Sequence, residues 1–245
     1  MVWYTRHPAL KAVYRAQKQM RRAFSEKLEQ LHYKRNLART QKAVRQTLGQ
    51  VDAPYEQYIR EQLEETLLKK RLKGETRFEV IPLVDMLAEK YELASKSVLC
   101  VGCRNTDEIR YFRKRGAGRV VGIDLFSDDP DIVIMDMHDL KFANDEFDIV
   151  YSRHSFEHAY DKKKVGSEFV RVVKNGGVVV VEVPGSYKGG ADYNRFDSIE
   201  DVMVAFESNV GQFLRKEYSR KEDNTHKMDI IRLMFHVDKT PPTSR

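Results

Sequence analysis

Residues 97–124 read SVLCVGCRNTDEIRYFRKRGAGRVVGID. The stretch opens with an apolar, β-branched run, turns at a glycine, continues with helical spacing, and closes with a second apolar run that ends in an acid. A strand, tight turn, helix and second strand in this order are typical of a nucleoside-binding α/β unit. The glycine lets a ligand approach the backbone, and the final acid can accept hydrogen bonds from two ribose hydroxyls.

Strand and helix patterns alternate along the rest of this region. Strands are predicted at 97–102, 119–123, 131–135, 147–152 and 177–183, and helices at 106–115, 161–174 and 198–208. This alternation predicts a parallel sheet. Two further strands, 211–219 and 228–237, are joined by a loop too short for a parallel crossover. The predicted fold is therefore α/β, a doubly wound, mostly parallel seven-stranded sheet that ends in an antiparallel hairpin, with an N-terminal helical extension.

Helical spacing without glycine or proline predicts a long helix over residues 9–48. A second helix is predicted from Asp52-Ala53-Pro54 to about Lys73, and a third over 78–91. We expect residues 1–73 to form a basic helical extension and residues 74–245 to form the α/β domain.

The positive charge is concentrated at the N-terminus. Residues 1–45 contain 12 of the 43 basic side chains and only two acids, which leaves 31 basic and 35 acidic side chains in the remainder. This basic arm fits a solvated helix face, a surface for another subunit or protein partner, or a polyanion-binding segment. Nucleic acid is less favoured, because the rest of the chain is acidic. An anionic membrane surface is less favoured, because the apolar stripe of the arm is modest and alanine-rich. With two cysteines and no long apolar run, we expect a cytoplasmic protein.

Candidate ligand-binding residues follow the first four strands, where open α/β sheets bind ligands. They are Val101, Gly102, Cys103, Arg104 and Asp107; Asp124 and Leu125; Asp136, Met137 and His138; and Ser152 and Arg153. Asp124 is placed for a ribose. An acid at 136 can accept from an adenine amino group while Met137 covers the ring.

The series VLCVGC, GIDL, DMHDL, FDIVYSRHSFEH and VVKNGGVVVVEVP resembles the motifs of class I S-adenosylmethionine-dependent methyltransferases, especially those acting on small molecules and sugars. The resemblance covers about residues 97–237. It implies S-adenosylmethionine as cofactor, with Gly102 and Cys103 at its methionine end, Met137 and His138 beside adenine, and residues 152–154 near the sulfonium.

The first loop departs from the family pattern. Cys100 stands where the family has an acid, and Arg104 and Thr106 stand where it has glycines. Asp107 is the candidate to replace the missing carboxylate. Cys100 and Cys103 have a metal or redox spacing, but no second cysteine pair completes a site, so we expect no metal.

Candidate catalytic residues follow the fourth strand. A hydroxyl acceptor needs a base, and His154, His158 and Asp161 are the candidates. His154 is favoured, because a Glu157–His158 pair often anchors its own loop and Asp161 also fits a helix N-cap. Tyr187, Tyr193 and Arg195, in the glycine-rich segment 185–197, could contact an acceptor, whereas Tyr55 and Tyr58 fit simple packing.

The resemblance therefore implies methyl transfer to a small-molecule or saccharide acceptor, most simply at oxygen. The alternatives are a non-catalytic methyltransferase-like scaffold that binds a partner through the basic arm, and an RNA methyltransferase. A dinucleotide oxidoreductase is disfavoured, because its fingerprint needs three glycines and this loop has one. The fifth strand is followed by no large insertion, so either the N-terminal helices or the acceptor must cover the pocket.

Overall fold

The computed structural model describes residues 52–73, 79–127, 129–206, 209–224 and 228–240, together with residues 18–21, 24, 27, 31, 35, 38 and 42. The chain divides into two compact units, Met1–Ala43 and Val44–Arg245. In the first unit the described residues are helical and exposed. The rest of the helix predicted over 9–48 lies outside the described residues. Among the described helices, none combines the length and apolar character needed to cross a membrane.

The second unit contains five helices and seven strands among its described residues. The helices are α1 (Ala53–Lys73), α2 (Pro82–Ala88), α3 (Asp107–Lys114), α4 (Lys162–Val172) and α5 (Ile199–Met203). The strands are β1 (Ser97–Val101), β2 (Arg119–Asp124), β3 (Ile132–Ile134), β4 (Phe147–Arg153), β5 (Val173–Gly185), β6 (Val210–Ser219) and β7 (Asp229–Val237). A short 3-10 helix, Phe156–His158, follows β4.

The strands form one sheet in the order β3-β2-β1-β4-β5-β7-β6. β3, β2, β1, β4 and β5 are parallel neighbours, whereas β7 pairs antiparallel with both β5 and β6. The predicted fold class is confirmed. β5 is longer than predicted at both ends: Val173 pairs with Phe147 of β4, and pairing with β7 extends the strand to Gly185.

The sheet is covered on both faces, as its apolar strands require. In β1, Leu99 and Val101 join a core cluster with α4 and α5. Their neighbours Val98 and Cys100 join the opposite cluster, which includes apolar side chains of α2 and α3. This two-sided burial leaves the carboxyl ends of the parallel strands as the free edge for a site.

Helix α1 packs in the same compact unit as the sheet. It buries one apolar stripe: Tyr58, Ile59, Leu63 and Leu67. The predicted domain limit after residue 73 stays a prediction, but the packing places α1 with the α/β domain. This helix therefore belongs to the surroundings of the site.

Helix caps determine where the elements near the site begin. Asp161 is the N-cap of α4, and its Oδ1 accepts from the backbone N–H groups of Lys163 and Lys164, at 3.0 and 3.1 Å. Ser198 and Asp201 form a capping box that begins α5. The segment between β4 and α4 is therefore short. It contains the 3-10 turn and ends at the N-cap Asp161.

Candidate active site

A pocket of about 660 Å³, including its open mouth, lies at the carboxyl ends of β1, β2 and β4. Its walls come from helix α1 and from the loops after the first four strands. The lining residues are Tyr58, Gln62, Glu65, Thr66, Lys69, Val101, Gly102, Arg104, Ile123, Asp124, Leu125, Met135, Met137, His154, Ser155 and His158. Such a position at the edge of a parallel sheet is where α/β folds bind ligands.

The first loop is a rigid turn centred on Gly102. Gly102 has φ +78°, and a Cβ added there would lie 2.3 Å from the Ser155 Cβ. Ser155 Oγ donates to the Val101 carbonyl oxygen at 2.8 Å. The expectation that glycine is needed for ligand approach is therefore incomplete: its left-handed backbone and the packing of Ser155 already exclude a side chain.

Asp124 ends β2 and lines the pocket, as the sequence predicts. Its Oδ1 accepts from the Phe126 backbone N–H at 2.9 Å. Burial raises the pKa of Asp124 to about 6, even though the Phe126 N–H bond and the nearby Arg104 and His158 oppose the rise. The carboxylate is thus ionised at neutral pH at a free-energy cost, which a hydrogen-bonding ligand could offset.

Asp136 and His138 do not line the pocket. Asp136, which is 2 % exposed, accepts from the His138 backbone N–H at 2.9 Å, from the His138 Nδ1 at 2.7 Å and from the Tyr55 hydroxyl at 2.6 Å. His138 Nε2 accepts from the Asp161 N–H at 3.2 Å. This network ties α1 to the loop after β3 and leaves Met137 as the residue of its triplet that faces the pocket.

Several other predicted binding residues lie beneath the pocket wall and do not line it. Cys103 Sγ lies 3.3 Å from Glu108 Oε2, and Arg153 contacts Glu108 at 3.4 Å. Ser152 is fully buried and shares a 2.7 Å hydrogen bond with Ser155. Asp107 is buried and pairs with Arg110. These side chains hold the loops in place but do not reach the pocket surface.

His154 enters the pocket with a strained backbone and two acidic neighbours. Its φ is +51°. Its Nε2 lies 3.3 Å from Glu182 Oε1, and its Nδ1 lies 3.9 Å from Glu157 Oε1. Burial would raise the pKa of Glu182, but the adjacent His154 and Arg232 lower it to about 2. Both ring nitrogens of His154 therefore face carboxylates.

His158 has a different environment, and it includes a residue that the sequence analysis missed. Its Nδ1 lies 2.9 Å from Asp192 Oδ1 and 3.3 Å from the Ala191 carbonyl oxygen. In the part of the chain that the structure describes, its Nε2 has no hydrogen-bond partner. Burial would lower the pKa of His158, but the bond to Asp192 and the charge of Glu157 raise it overall.

Asp192 lies 34 positions after His158 in an irregular loop, and no local sequence signal connects the two. Asp161, the third predicted catalytic residue, caps α4 and does not line the pocket. With Nδ1 lying 2.9 Å from the Asp192 carboxylate, His158 has the geometry of a base held by an acid.

Helix α1 forms a whole wall of the pocket through Tyr58, Gln62, Glu65, Thr66 and Lys69. The helical spacing of Tyr55 and Tyr58 predicted simple packing residues. Their rings pack against His138 and Tyr160 near the pocket wall. Of the two covers that the sequence left open, the N-terminal helices or the acceptor, the structure shows that α1 lines one side of the pocket.

Comparisons with known proteins agree with this architecture. A family model described as a methyltransferase domain matches residues 99–181. A curated relative, the glycine/sarcosine/dimethylglycine N-methyltransferase of Actinopolyspora halophila, is 30% identical over 120 residues. That match covers 49% of this chain but only 20% of the relative.

Solved structures share the fold at low sequence identity. One is a Haloferax volcanii protein classed as a methyltransferase, in complex with the Trm112 methyltransferase activator (TM-score 0.54, 17% identity, 65% of this chain and 90% of that chain). Another is the [4+2]-cyclase SpnF (TM-score 0.53, 16% identity, covering 64% of this chain and 81% of that chain). A third is an S-adenosylmethionine-dependent methyltransferase from Aquifex aeolicus (TM-score 0.50, 15% identity, covering 69% of this chain and 98% of that chain). At these identities the likeness concerns the fold alone.

Proposed function

We propose that this chain, which carries a class I S-adenosylmethionine-dependent methyltransferase domain, methylates a hydroxyl group of a small-molecule or saccharide acceptor. The main observation is the His158–Asp192 pair, joined at 2.9 Å on the wall of a pocket that also contains Asp124 and Gly102. The pocket thus combines groups suited to a nucleoside with a group suited to removing a proton.

The pocket residues fit the cofactor. The Asp124 carboxylate is available to the ribose hydroxyls, and Ile123, Met135 and Met137 offer an apolar wall for adenine. Arg104 lines the same pocket, and its guanidinium suits the carboxylate at the methionine end. Bound here, the cofactor would supply a methyl group on a cationic sulfur.

His158 is the residue that we assign as the base. With Nδ1 bonded to Asp192, the imidazole is held in one orientation, and Nε2 is the nitrogen that can accept the acceptor's proton. The α1 wall would shield the acceptor from water and align it, and much of the rate of a displacement can come from such alignment. His154, which the sequence favoured, has both nitrogens directed at carboxylates and suits a positioning role.

An amine acceptor is the second candidate. The curated relative is named for methylation of glycine, sarcosine and dimethylglycine nitrogen, although this chain covers a fifth of its length. An ammonium acceptor must also lose a proton before it can attack, so His158 would act in the same way on either acceptor. Identification of the methylated atom in the product separates the two.

Calorimetric titration with S-adenosylhomocysteine tests the cofactor site. We expect micromolar binding that is lost in Asp124→Ala. If millimolar S-adenosylhomocysteine produced no heat, the result would contradict the proposed methyltransferase activity and favour a non-catalytic scaffold.

Methyl transfer is then measured with a labelled methyl donor against saccharides, small hydroxyl compounds, glycine and sarcosine, and RNA. We expect His158→Gln to lower kcat by about 100-fold or more, and His154→Gln to lower it less. His236→Gln, outside the pocket, is the matched control. If kcat fell equally in His154→Gln and His158→Gln, the measurement would not support His158 as the base. If kcat fell only in His154→Gln, the assignment of His158 as the base would be refuted.

The pH profile tests the Asp192 contact. Because the pKa of His158 is raised, the rate is expected to rise with pH through a midpoint above that of an ordinary histidine. Asp192→Asn removes the carboxylate, so the midpoint should move to lower pH and the maximal rate should fall. An unchanged midpoint would show that His158 is not the titrating base.

A further inference from the structure

A loop of residues 189–194, which we call the bridging loop, lies between helix α1 and the 3-10 turn that carries His158. On the side of the turn, the backbone N–H groups of Tyr193 and Asn194 donate to the Glu157 carbonyl oxygen at 3.0 and 2.9 Å. The Asn194 Nδ2 donates to the Ala159 carbonyl oxygen at 2.6 Å. The bridging loop is therefore fixed to the turn by three hydrogen bonds.

On its other side the bridging loop is held by α1. The Gln62 Nε2 donates to the Ala191 carbonyl oxygen at 2.6 Å, and the Tyr193 hydroxyl donates to Glu61 Oε2 at 2.7 Å. At Gly190 the φ is +55°, and an added Cβ would lie 2.7 Å from Glu65 Oε1. The loop and the helix are therefore in direct contact along several residues.

The Ala191 carbonyl oxygen connects Gln62 with His158. This oxygen accepts from Gln62, and it also lies 3.3 Å from His158 Nδ1, the nitrogen bonded to Asp192. Gln62 is 7 % exposed, so water does not readily replace its amide. Among the hydrogen bonds of the described residues, loss of Gln62 would leave the carbonyl oxygen with the His158 N–H as its one donor, and it would compete with Asp192 for that N–H.

We propose that α1 positions the catalytic base: the Gln62 amide holds the Ala191 carbonyl oxygen, so that His158 Nδ1 bonds to Asp192 and Nε2 stays directed into the pocket. Gln62 is a positioning residue, and the docking of α1 becomes a condition for an assembled base. This inference rests on the proposed function, because it concerns the role of His158 in methyl transfer.

Charged groups face His158 from several elements. They are Glu157 on its own turn, Asp192 on the bridging loop, Asp124 at the end of β2, and Lys69 on α1. Lys69 is paired with Glu65 at 3.3 Å on the same helix. Of these groups only Asp192 is hydrogen-bonded to the ring. A longer distance between Asp192 and Nδ1 should therefore change the pKa of His158 more than any other contact.

The test is a nuclear magnetic resonance titration of the His158 ring in the full chain, together with kcat. We expect Gln62→Met, which keeps the shape but loses the donor, to lower the pKa of His158 by about one unit and kcat about tenfold. Tyr193→Phe frees the loop from Glu61 without changing a pocket-lining residue, and should shift the pKa in the same direction by less. Gln212→Met, an exposed glutamine on β6, is the matched control and should change neither.

An unchanged pKa of His158 in both folded variants would overturn the inference. So would an equal shift in the Gln212→Met control. If the wild-type protein methylates no acceptor, the proposed function fails, but the titration still reports whether α1 positions the ring. If His158→Gln lowers activity while Gln62→Met and Tyr193→Phe leave the pKa of His158 unchanged, the assignment of His158 as the base is kept. Only the positioning of His158 by α1 is then refuted.

Discussion

Replacing Asp124 with asparagine is expected to stabilise the free protein and to weaken its hold on the cofactor. Burial raises the pKa of this carboxyl from the usual 3.8 to about 6. Between these two values the unfolded chain has lost the proton while the folded chain keeps it. Stability therefore falls as pH rises through this window and is constant above it.

The magnitude follows from the two pKa values. The difference between 3.8 and about 6 corresponds to about 3 kcal/mol, as an upper value for a partly exposed group. The amide of the Asp124→Asn variant retains an oxygen that can accept from the Phe126 N–H. The variant should therefore match the wild type at pH 4 and exceed its free energy of unfolding by up to about 3 kcal/mol at pH 8.

Urea unfolding of the free protein at pH 4 to 8 measures this difference, and calorimetry measures S-adenosylhomocysteine affinity. We expect affinity at pH 8 to fall about 10- to 100-fold in Asp124→Asn, because charge-assisted hydrogen bonds to the ribose are lost. Asp148→Asn is the matched control of opposite sign. Burial alone would raise the pKa of Asp148, but Ser97 and Lys174 lower it to about 2, so that variant should be destabilised at neutral pH. A stability difference for Asp124→Asn that does not change with pH would refute the reasoning.

Two further predictions concern the frame of the site. Gly102→Ala should lower the free energy of unfolding by about 3 kcal/mol or more, because alanine is strained at φ +78° and its Cβ would meet Ser155 at 2.3 Å. Gly176→Ala, at φ +74° with nothing within 4 Å, carries only the backbone cost, and equal losses in urea unfolding would show that the Ser155 contact is unimportant. Tyr55→Phe should cost about 1–3 kcal/mol, because the buried Asp136 loses a donor at 2.6 Å. An unchanged unfolding midpoint in that variant would contradict the assigned bond.

Local patterns were enough to predict the sheet and part of the pocket. The apolar runs, the turn at Gly102 and the acid at the end of β2 predicted the parallel strands and placed Asp124 at the sheet edge, because parallel strands must end on the same side. The short loop between the last two strands predicted the antiparallel hairpin, since no crossover fits it. Asp161 was correctly recognised as a possible N-cap, because that signal is contained within four residues.

The sequence alone determined what depends on neighbours along the chain: the strands, the caps, and the glycine and acid that lie at the sheet edge. Tertiary structure alone decided which polar side chains meet. Asp192 reaches His158, Gln62 reaches the Ala191 carbonyl oxygen, and Tyr55 uses an oxygen of Asp136, across separations of 34, 129 and 81 residues. These contacts depend on how one helix and one irregular loop pack over the sheet edge, and no periodicity or spacing in the sequence encodes that packing.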